Sequence, residues 1–349
     1  MTHPYRGLSD SHFWTRSVSN LALHEVDPLS SSTLRIAQDD RIATMGSCFA
    51  QHISRRLMRL GFGYFVPEAA PPGLDEAEAQ SRNYGIFSAR YGNVYTVRQA
   101  LQLFQRAWDG WEPEVEAWEQ DGSWFDPYRP QIEPGGFPTL EELRADRRVH
   151  LEAVRRVFSE STILVFTLGL TEAWRSRVDG AVFPVVPGSA AGEFDDKQHE
   201  FVNFRLAEIT RDLSELIERT QAVNPGVRLL LTVSPVPLLA THSDQHVLSA
   251  TTYSKSVLRV AADEVSREFD DVHYFPSYEI ITGVPSGNRY FEDDLRSVNE
   301  AGVEHVMRVF QRHYVEGEAA PQSAEWEASS RLEMRRTSEV ICDEDVLET

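Results

Sequence analysis

Four short apolar and β-branched runs punctuate the chain, at 41–45, 162–167, 228–233 and 272–275. They are too short for buried helices and do not alternate apolar with polar residues, so they read as strands covered on both faces. Between them the apolar spacing changes to three and four. Phe49, Ile53, Leu57 and Leu60 share one face of a helix over 49–60. Pro138 and the capping box Thr139-x-x-Glu142 open another over 139–158. Further helices are predicted over 204–220, 253–269 and 298–313, the last with Val303, Val306, Met307 and Phe310 on one face. This alternation predicts an α/β fold: a parallel sheet flanked by helices in three layers, of the flavodoxin-like kind, with ligands gathering at the carboxyl ends of the strands.

Two stretches break the rhythm. Residues 108–137 are rich in Trp, Pro, Gly and acidic side chains, and 174–196 carry Pro184, Pro187 and several glycines. Both read as long loop insertions, either plain surface loops or a lid or aromatic substrate platform. Residues 1–40 form an N-terminal extension, and 41–315 a single α/β domain that contains the two insertions. The segment 316–349 is dominated by Glu, Ala, Ser and Arg, and its few apolar anchors predict an acidic disordered tail.

Composition narrows the function classes. A formal net charge of −20 repels a phosphate backbone, and no basic stripe with interleaved aromatics opposes it, so nucleic acid is not an expected partner. No apolar run approaches the roughly 20 residues of a membrane-spanning helix, and the N-terminus has no basic-then-apolar leader pattern. Cys48 and Cys342 are the only cysteines, far apart, which fits neither a disulfide framework nor a zinc site. A soluble cytoplasmic protein is expected, with no membrane contact, cofactor or metal.

Ser47 follows the first strand and precedes a helix, where a hydroxyl gains exposure and an electropositive setting. The same position suits a helix N-cap, and the local pattern leaves both readings open. Cys48 is a competing nucleophile, but with Phe49 and Ala50 behind it the thiol is expected to pack inward. Lys255 offers a different base, since a desolvated lysine can deprotonate serine; nothing near it in sequence desolvates it, so it reads as a helix-surface lysine.

The run Gly46-Ser47-Cys48-Phe49-Ala50 resembles the signature of the GSCFA family, a branch similar to the SGNH hydrolases. Asn83-Tyr84-Gly85, Thr167-Leu168-Gly169-Leu170-Thr171-Glu172, Ser234-Pro235-Val236-Pro237-Leu238 and Asp294-Leu295-Arg296-Ser297 follow in the family's order. The resemblance implies that Ser47 is the nucleophile and that its backbone N–H helps form an oxyanion hole. Gly85 would add a second backbone donor. Thr171 stands where SGNH enzymes usually carry Asn, with Glu172 after it; its hydroxyl can donate one hydrogen bond but is shorter than an amide, and both residues also suit a helix cap.

The last block departs from the pattern. SGNH hydrolases place an orienting Asp three residues before a catalytic His, whereas here Asp294 is followed by Ser297, which cannot act as a base near neutral pH. His246, in the loop Thr241-His242-Ser243-Asp244-Gln245-His246, is the expected substitute, with His242 second; His305 lies too far along the final helix. The resulting expectation is an SGNH-type serine ester hydrolase or O-acyltransferase acting on an acylated carbohydrate or small metabolite, with Ser47, Asp294 and His246 as its catalytic set. A catalytically weak relative that binds a carbohydrate or a protein is the alternative.

Overall fold

The computed structural model describes residues 3–59, 61–315 and 343–347. In chain order its main elements are β1 (Ile42–Gly46), α1 (Ala50–Arg59), α2 (Glu76–Ser81), α3 (Val97–Trp108), β2 (Trp118–Gln120), β3 (Ser123–Phe125) and α4 (Leu140–Glu160). Then come β4 (Ile163–Leu168), β5 (Glu172–Ser176), β6 (Val182–Phe183), β7 (His199–Asn203), α5 (Leu206–Val223), β8 (Arg228–Val233), α6 (Val247–Glu268), β9 (Val272–Tyr274), α7 (Ser277–Thr282) and α8 (Glu300–Tyr314).

The four apolar runs are the four strands of one parallel sheet, in the order β1-β4-β8-β9. Their side chains alternate between two cores, which is why no polar position interrupts them. Ala43, Met45, Phe166, Leu168, Leu229 and Leu231 face α3, α4, α5 and α6. Ile42, Ile163, Val165 and Leu230 face α1, α7 and α8. The protein is thus a three-layer α/β fold, as its sequence predicts. Beside β1, the segment around Tyr64 adds a single parallel bridge to Ile42.

Residues 108–137 and 174–196 do not stay loops. The first contains the β2–β3 hairpin, and β5 pairs antiparallel with both β6 and β7. Trp118, Tyr128, Phe183 and Ala191 join the two insertions in one small aromatic core, with Tyr128 stacked on Phe183 at 5.7 Å. The N-terminal segment straps α8: Asp27 pairs with Arg312 and His313, and the Ile36 N–H donates to the Tyr314 carbonyl.

Most of the expected C-terminal tail lies outside the described residues. Asp343–Leu347 forms a 3₁₀ turn against the body. The Asp343 carboxylate accepts the Asn93 N–H at 3.2 Å, its own N–H donates to the Tyr95 hydroxyl, and Arg296 pairs with Glu344 at 2.8 Å. No helix among the described residues is long and apolar enough to cross a membrane.

Candidate active site

β1 ends in Gly46 at φ +126°, a conformation that L side chains rarely adopt. A Cβ there would also meet the Thr167 backbone, 2.7 Å from its nitrogen and closer still to its carbonyl oxygen. The glycine lets the chain turn sharply and lays Ser47 over the end of the neighbouring strand. The Ser47 N–H donates to the Thr167 carbonyl at 3.0 Å, which continues the β1–β4 ladder one residue beyond the strand.

Ser47 is 2 % exposed, and its Oγ has no hydrogen-bond partner among the described residues. It therefore does not cap α1, the structural role its sequence position allows. A buried hydroxyl without a partner forfeits about 1–3 kcal/mol, a cost the fold tolerates where the group serves something other than stability. The Thr167 hydroxyl on the adjacent strand is buried and unpartnered as well. Cys48, the competing nucleophile, is buried too.

The wall facing Ser47 is built from Gly169 and the segment from Asn93 to Tyr95. A Cβ at Gly169 would lie 3.1 Å from the Ser47 Cβ and 3.0 Å from the Tyr95 carbonyl, so a side chain there would press on the serine. The Tyr95 carbonyl accepts the N–H groups of Gly169 and Leu170, and the Val94 N–H donates to the Gly46 carbonyl. Gln99, on the first turn of α3, fixes this segment through the Tyr95 N–H and the Asn93 carbonyl. Sequence reasoning missed this wall. The available signal was Gly92-Asn93 followed by the helix start Thr96-x-x-Gln99, where the Thr96 side chain caps the Gln99 N–H.

Several expected site residues are engaged elsewhere. The Ser47 N–H, expected in the oxyanion hole, is committed to Thr167. Gly85 is exposed, and the carbonyl of its neighbour Ile86 accepts the hydroxyl of Ser54, on α1. The Asn83-Tyr84-Gly85 block instead supports Arg90, whose guanidinium lies 4.1 Å over the Tyr84 ring. Thr171 is fully buried, its N–H donating to the Ser254 hydroxyl and its own hydroxyl donating to Asn203 at 2.7 Å. With its proton spent there, Thr171 ties β5 and β7 to α6 and has none for an oxyanion. Glu172 binds the Thr241 hydroxyl; burial raises its pKa, which that hydrogen bond partly opposes.

The expected acid–base residues have bonds of their own. Asp294 is exposed and accepts the backbone N–H groups of Arg296 and Ser297 and, at 2.6 Å, the Ser297 hydroxyl. Partial burial works against the carboxylate, but these hydrogen bonds hold its pKa below the ordinary value. His246 is exposed at the start of α6, where its Nδ1 accepts the Leu248 N–H. The His242 ring rests against Trp174 and Phe201, at 4.8 and 5.4 Å. His305 is buried between the Tyr290 hydroxyl and the Val26 carbonyl, and burial lowers its pKa. Among the described residues no group of three or more His, Cys, Asp and Glu is placed to hold a metal ion.

Lys255 touches the serine's wall. It is 1 % exposed on the inner face of α6 and donates to the Gly169 carbonyl at 2.7 Å, with Ser254 beside it on Thr171. The desolvation that its sequence neighbours do not supply comes from the end of β4, so it is not a surface lysine.

A second polar cluster braces the first insertion. Arg129 bonds to Asp126 and Asp146, Arg90 pairs with Asp146 at 2.5 Å, and the His150 Nδ1 lies 2.8 Å from Glu68. Burial alone would raise the Glu68 pKa, but His150, Arg129 and the Arg90 N–H outweigh it and hold the group at about 2. Burial and Arg129 lower the His150 pKa, and Glu68 opposes them through its charge and its hydrogen bond. The cluster holds the insertion to α4 and to the segment leading into Asn93.

Residues 41–310 match the model of one protein family, the GSCFA family. A comparison with curated proteins finds no match.

Proposed function

Because the chain belongs to the GSCFA family, whose signature carries Ser47, we propose that it is a serine-dependent acyl-ester enzyme related to the SGNH hydrolases. In this reading Ser47 attacks an ester carbonyl and takes the acyl group. Water then releases it in hydrolysis, or an acceptor hydroxyl takes it in O-acyl transfer. An acylated carbohydrate or similar small metabolite is the proposed substrate class. One observation carries the reading: a buried serine hydroxyl, without a partner among the described residues, at the carboxyl end of a parallel strand and given its space by Gly46 and Gly169. Open α/β sheets bind their ligands at that end.

Turnover of a short-chain aryl ester tests it. Ser47→Ala should remove the activity and Cys48→Ala should leave most of it. Turnover retained in Ser47→Ala would sink the acyl-serine mechanism.

One observation favours a second reading, a binding module with little catalysis. Asp294 spends its carboxylate on its own turn and is bonded to no imidazole among the described residues. If wild type and Ser297→His both stay at the uncatalysed rate and Ser47 resists an acyl-serine trap, this reading replaces the first.

A further inference from the structure

Along α3, Gln99, Gln102, Leu103 and Arg106 recur at three- and four-residue spacing, so they share one face of the helix. All four line a cavity of about 360 Å³, counting the space at its opening, whose other walls come from the segment before α3, the first insertion and β6. Most polar side chains of the lining are spent on the protein itself. The Gln99 carboxamide holds the Tyr95 N–H and the Asn93 carbonyl, and that of Gln102 holds the Val182 N–H and the Gly180 carbonyl. The Tyr91 hydroxyl donates to the Thr44 carbonyl and the Tyr128 hydroxyl to the Val115 carbonyl. Arg129 is divided between Asp126 and Asp146.

Arg106 differs. It is 6 % exposed, yet its guanidinium has no hydrogen bond or ion pair among the described residues. Its guanidinium carbon lies 4.5 Å from the centre of the Tyr128 ring, a contact that favours the charge but gives the five N–H groups no oxygen acceptor. Asp126 supports the charge from a distance, but its oxygens are taken by Arg129, Arg147 and the Tyr128 N–H. Burial draws the Arg106 pKa down to about 10, with Asp126 opposing, so the side chain stays cationic at neutral pH. The indole N–H of Trp111, also in the lining, has no acceptor among the described residues either.

Donors that the protein leaves without acceptors, in a lining whose own acceptors are spent, complement an anion. A buried cation without a partner is costly, and it persists where something else pairs with it. One uncompensated positive charge matches one negative charge, and a planar guanidinium fits a carboxylate through two parallel hydrogen bonds. The rings of Tyr91, Trp111 and Tyr128, with Leu103 and Val182, suit an apolar or aromatic body behind that carboxylate. We propose that this cavity is a binding site for a small organic monocarboxylate, held by the Arg106 guanidinium. The site does not depend on Ser47 being a nucleophile.

The test is isothermal titration of the full-length protein with benzoate and with benzamide, which has the same shape and no charge. Benzoate should bind one-to-one and about 10-fold or more tighter than benzamide, the worth of a charged hydrogen bond. Arg106→Met keeps an apolar stem beside Tyr128 and removes the charge, so it should weaken benzoate about 10–100-fold. It should also keep a cooperative thermal transition, because the lost guanidinium strands no protein acceptor. Equal affinity for benzoate and benzamide would overturn the proposal, as would benzoate bound by folded Arg106→Met within about threefold of wild type. Tighter binding of inorganic phosphate than of benzoate, or saturable binding of neither benzoate nor the smaller acetate, would overturn it too. Should Arg106→Met fail to fold, Leu103→Met, a volume-conserving change one helical turn from Arg106, places an isotope-labelled methyl group in the lining. Benzoate should shift the NMR signal of that methyl group saturably through its ring current. A signal unmoved at a benzoate concentration that saturates the calorimetric isotherm would put the ligand elsewhere and end the proposal.

Discussion

Gly169→Ala adds one methyl group at the narrowest point of the site. The new Cβ would stand 3.1 Å from the Ser47 Cβ and 3.0 Å from the Tyr95 carbonyl, each a few tenths of an ångström inside ordinary contact. Neither neighbour is a flexible side-chain end. The Tyr95 carbonyl is pinned by two N–H groups, and Ser47 is pinned through its backbone to Thr167. Overpacking of this kind costs about 1–3 kcal/mol. At about 2–4 °C per kcal/mol, the melting temperature should fall by about 2–12 °C. The larger effect should be on Ser47, since a displacement near 1 Å costs about 10²-fold when reacting groups must be aligned. A shift of a few tenths should slow labelling of Ser47 by a fluorophosphonate, which phosphonylates an activated serine, about 10-fold or more. Gly226→Ala is the control, because a Cβ there meets nothing within 4 Å. Labelling of Gly169→Ala at the wild-type rate would refute the placement of Ser47 against Gly169.

Three further substitutions separate structural from chemical roles. Thr171→Val should cost about 1–3 kcal/mol by stranding Asn203, read as a lower urea midpoint, and should leave labelling of Ser47 unchanged because the hydroxyl gives its proton to Asn203. His246→Ala should cost about 0.5–2 kcal/mol as a lost helix cap and leave the labelling rate intact; a collapse in rate would restore this histidine as the base. Glu68→Gln should destabilise by about 3–5 kcal/mol at neutral pH, because the arginines around it lose their buried partner. The folded pKa of Glu68, about 2, lies below its ordinary 4.5, so its contribution is complete above that value and disappears as pH falls towards 2. Urea titrations should therefore show the gap between wild type and Glu68→Gln shrinking over that interval.

The central sheet was legible because burial on both faces leaves an uninterrupted apolar run, the strongest strand signal available without a structure. Helix α3 was not. Its buried face includes Gln99, Gln102 and Arg106, which bond to Tyr95 and Asn93, reach Gly180 and Val182, and cover the Tyr128 ring. Polar residues recruited to bridge segments hide the apolar stripe they interrupt. The β5–β6–β7 sheet was hidden because β6 has only two residues and its flanks are rich in Gly and Pro. Helix α6 begins at Val247, earlier than the spacing from 253 onward suggests, because its first turn is capped by His246 and lies largely exposed.

In the site, a strand, a glycine and a following helix marked the position of Ser47 but left a helix cap open, and it was the resemblance that implied a nucleophile there. The roles implied for Gly85 and Thr171 depend on which groups the fold brings to them, and Ser54 and Asn203 lie 31 residues before the one and 32 after the other. Lys255 shows the same limit from the opposite side. Its burial is created by Gly169, 86 residues earlier, and no local pattern in Tyr253-Ser254-Lys255 announces it. The only sequence trace is compositional, a lysine in a chain that otherwise uses arginine almost without exception.

The central claim is that Ser47 is a nucleophile and not a buried structural hydroxyl. Its most direct test is peptide mapping by mass spectrometry of the folded full-length protein after fluorophosphonate treatment, with heat-denatured protein as control. The account predicts one stoichiometric adduct, on the peptide containing Gly46-Ser47-Cys48, formed only by the folded protein and lost in Ser47→Ala. An adduct on another residue, or none on protein shown to be folded by its thermal transition, would contradict it.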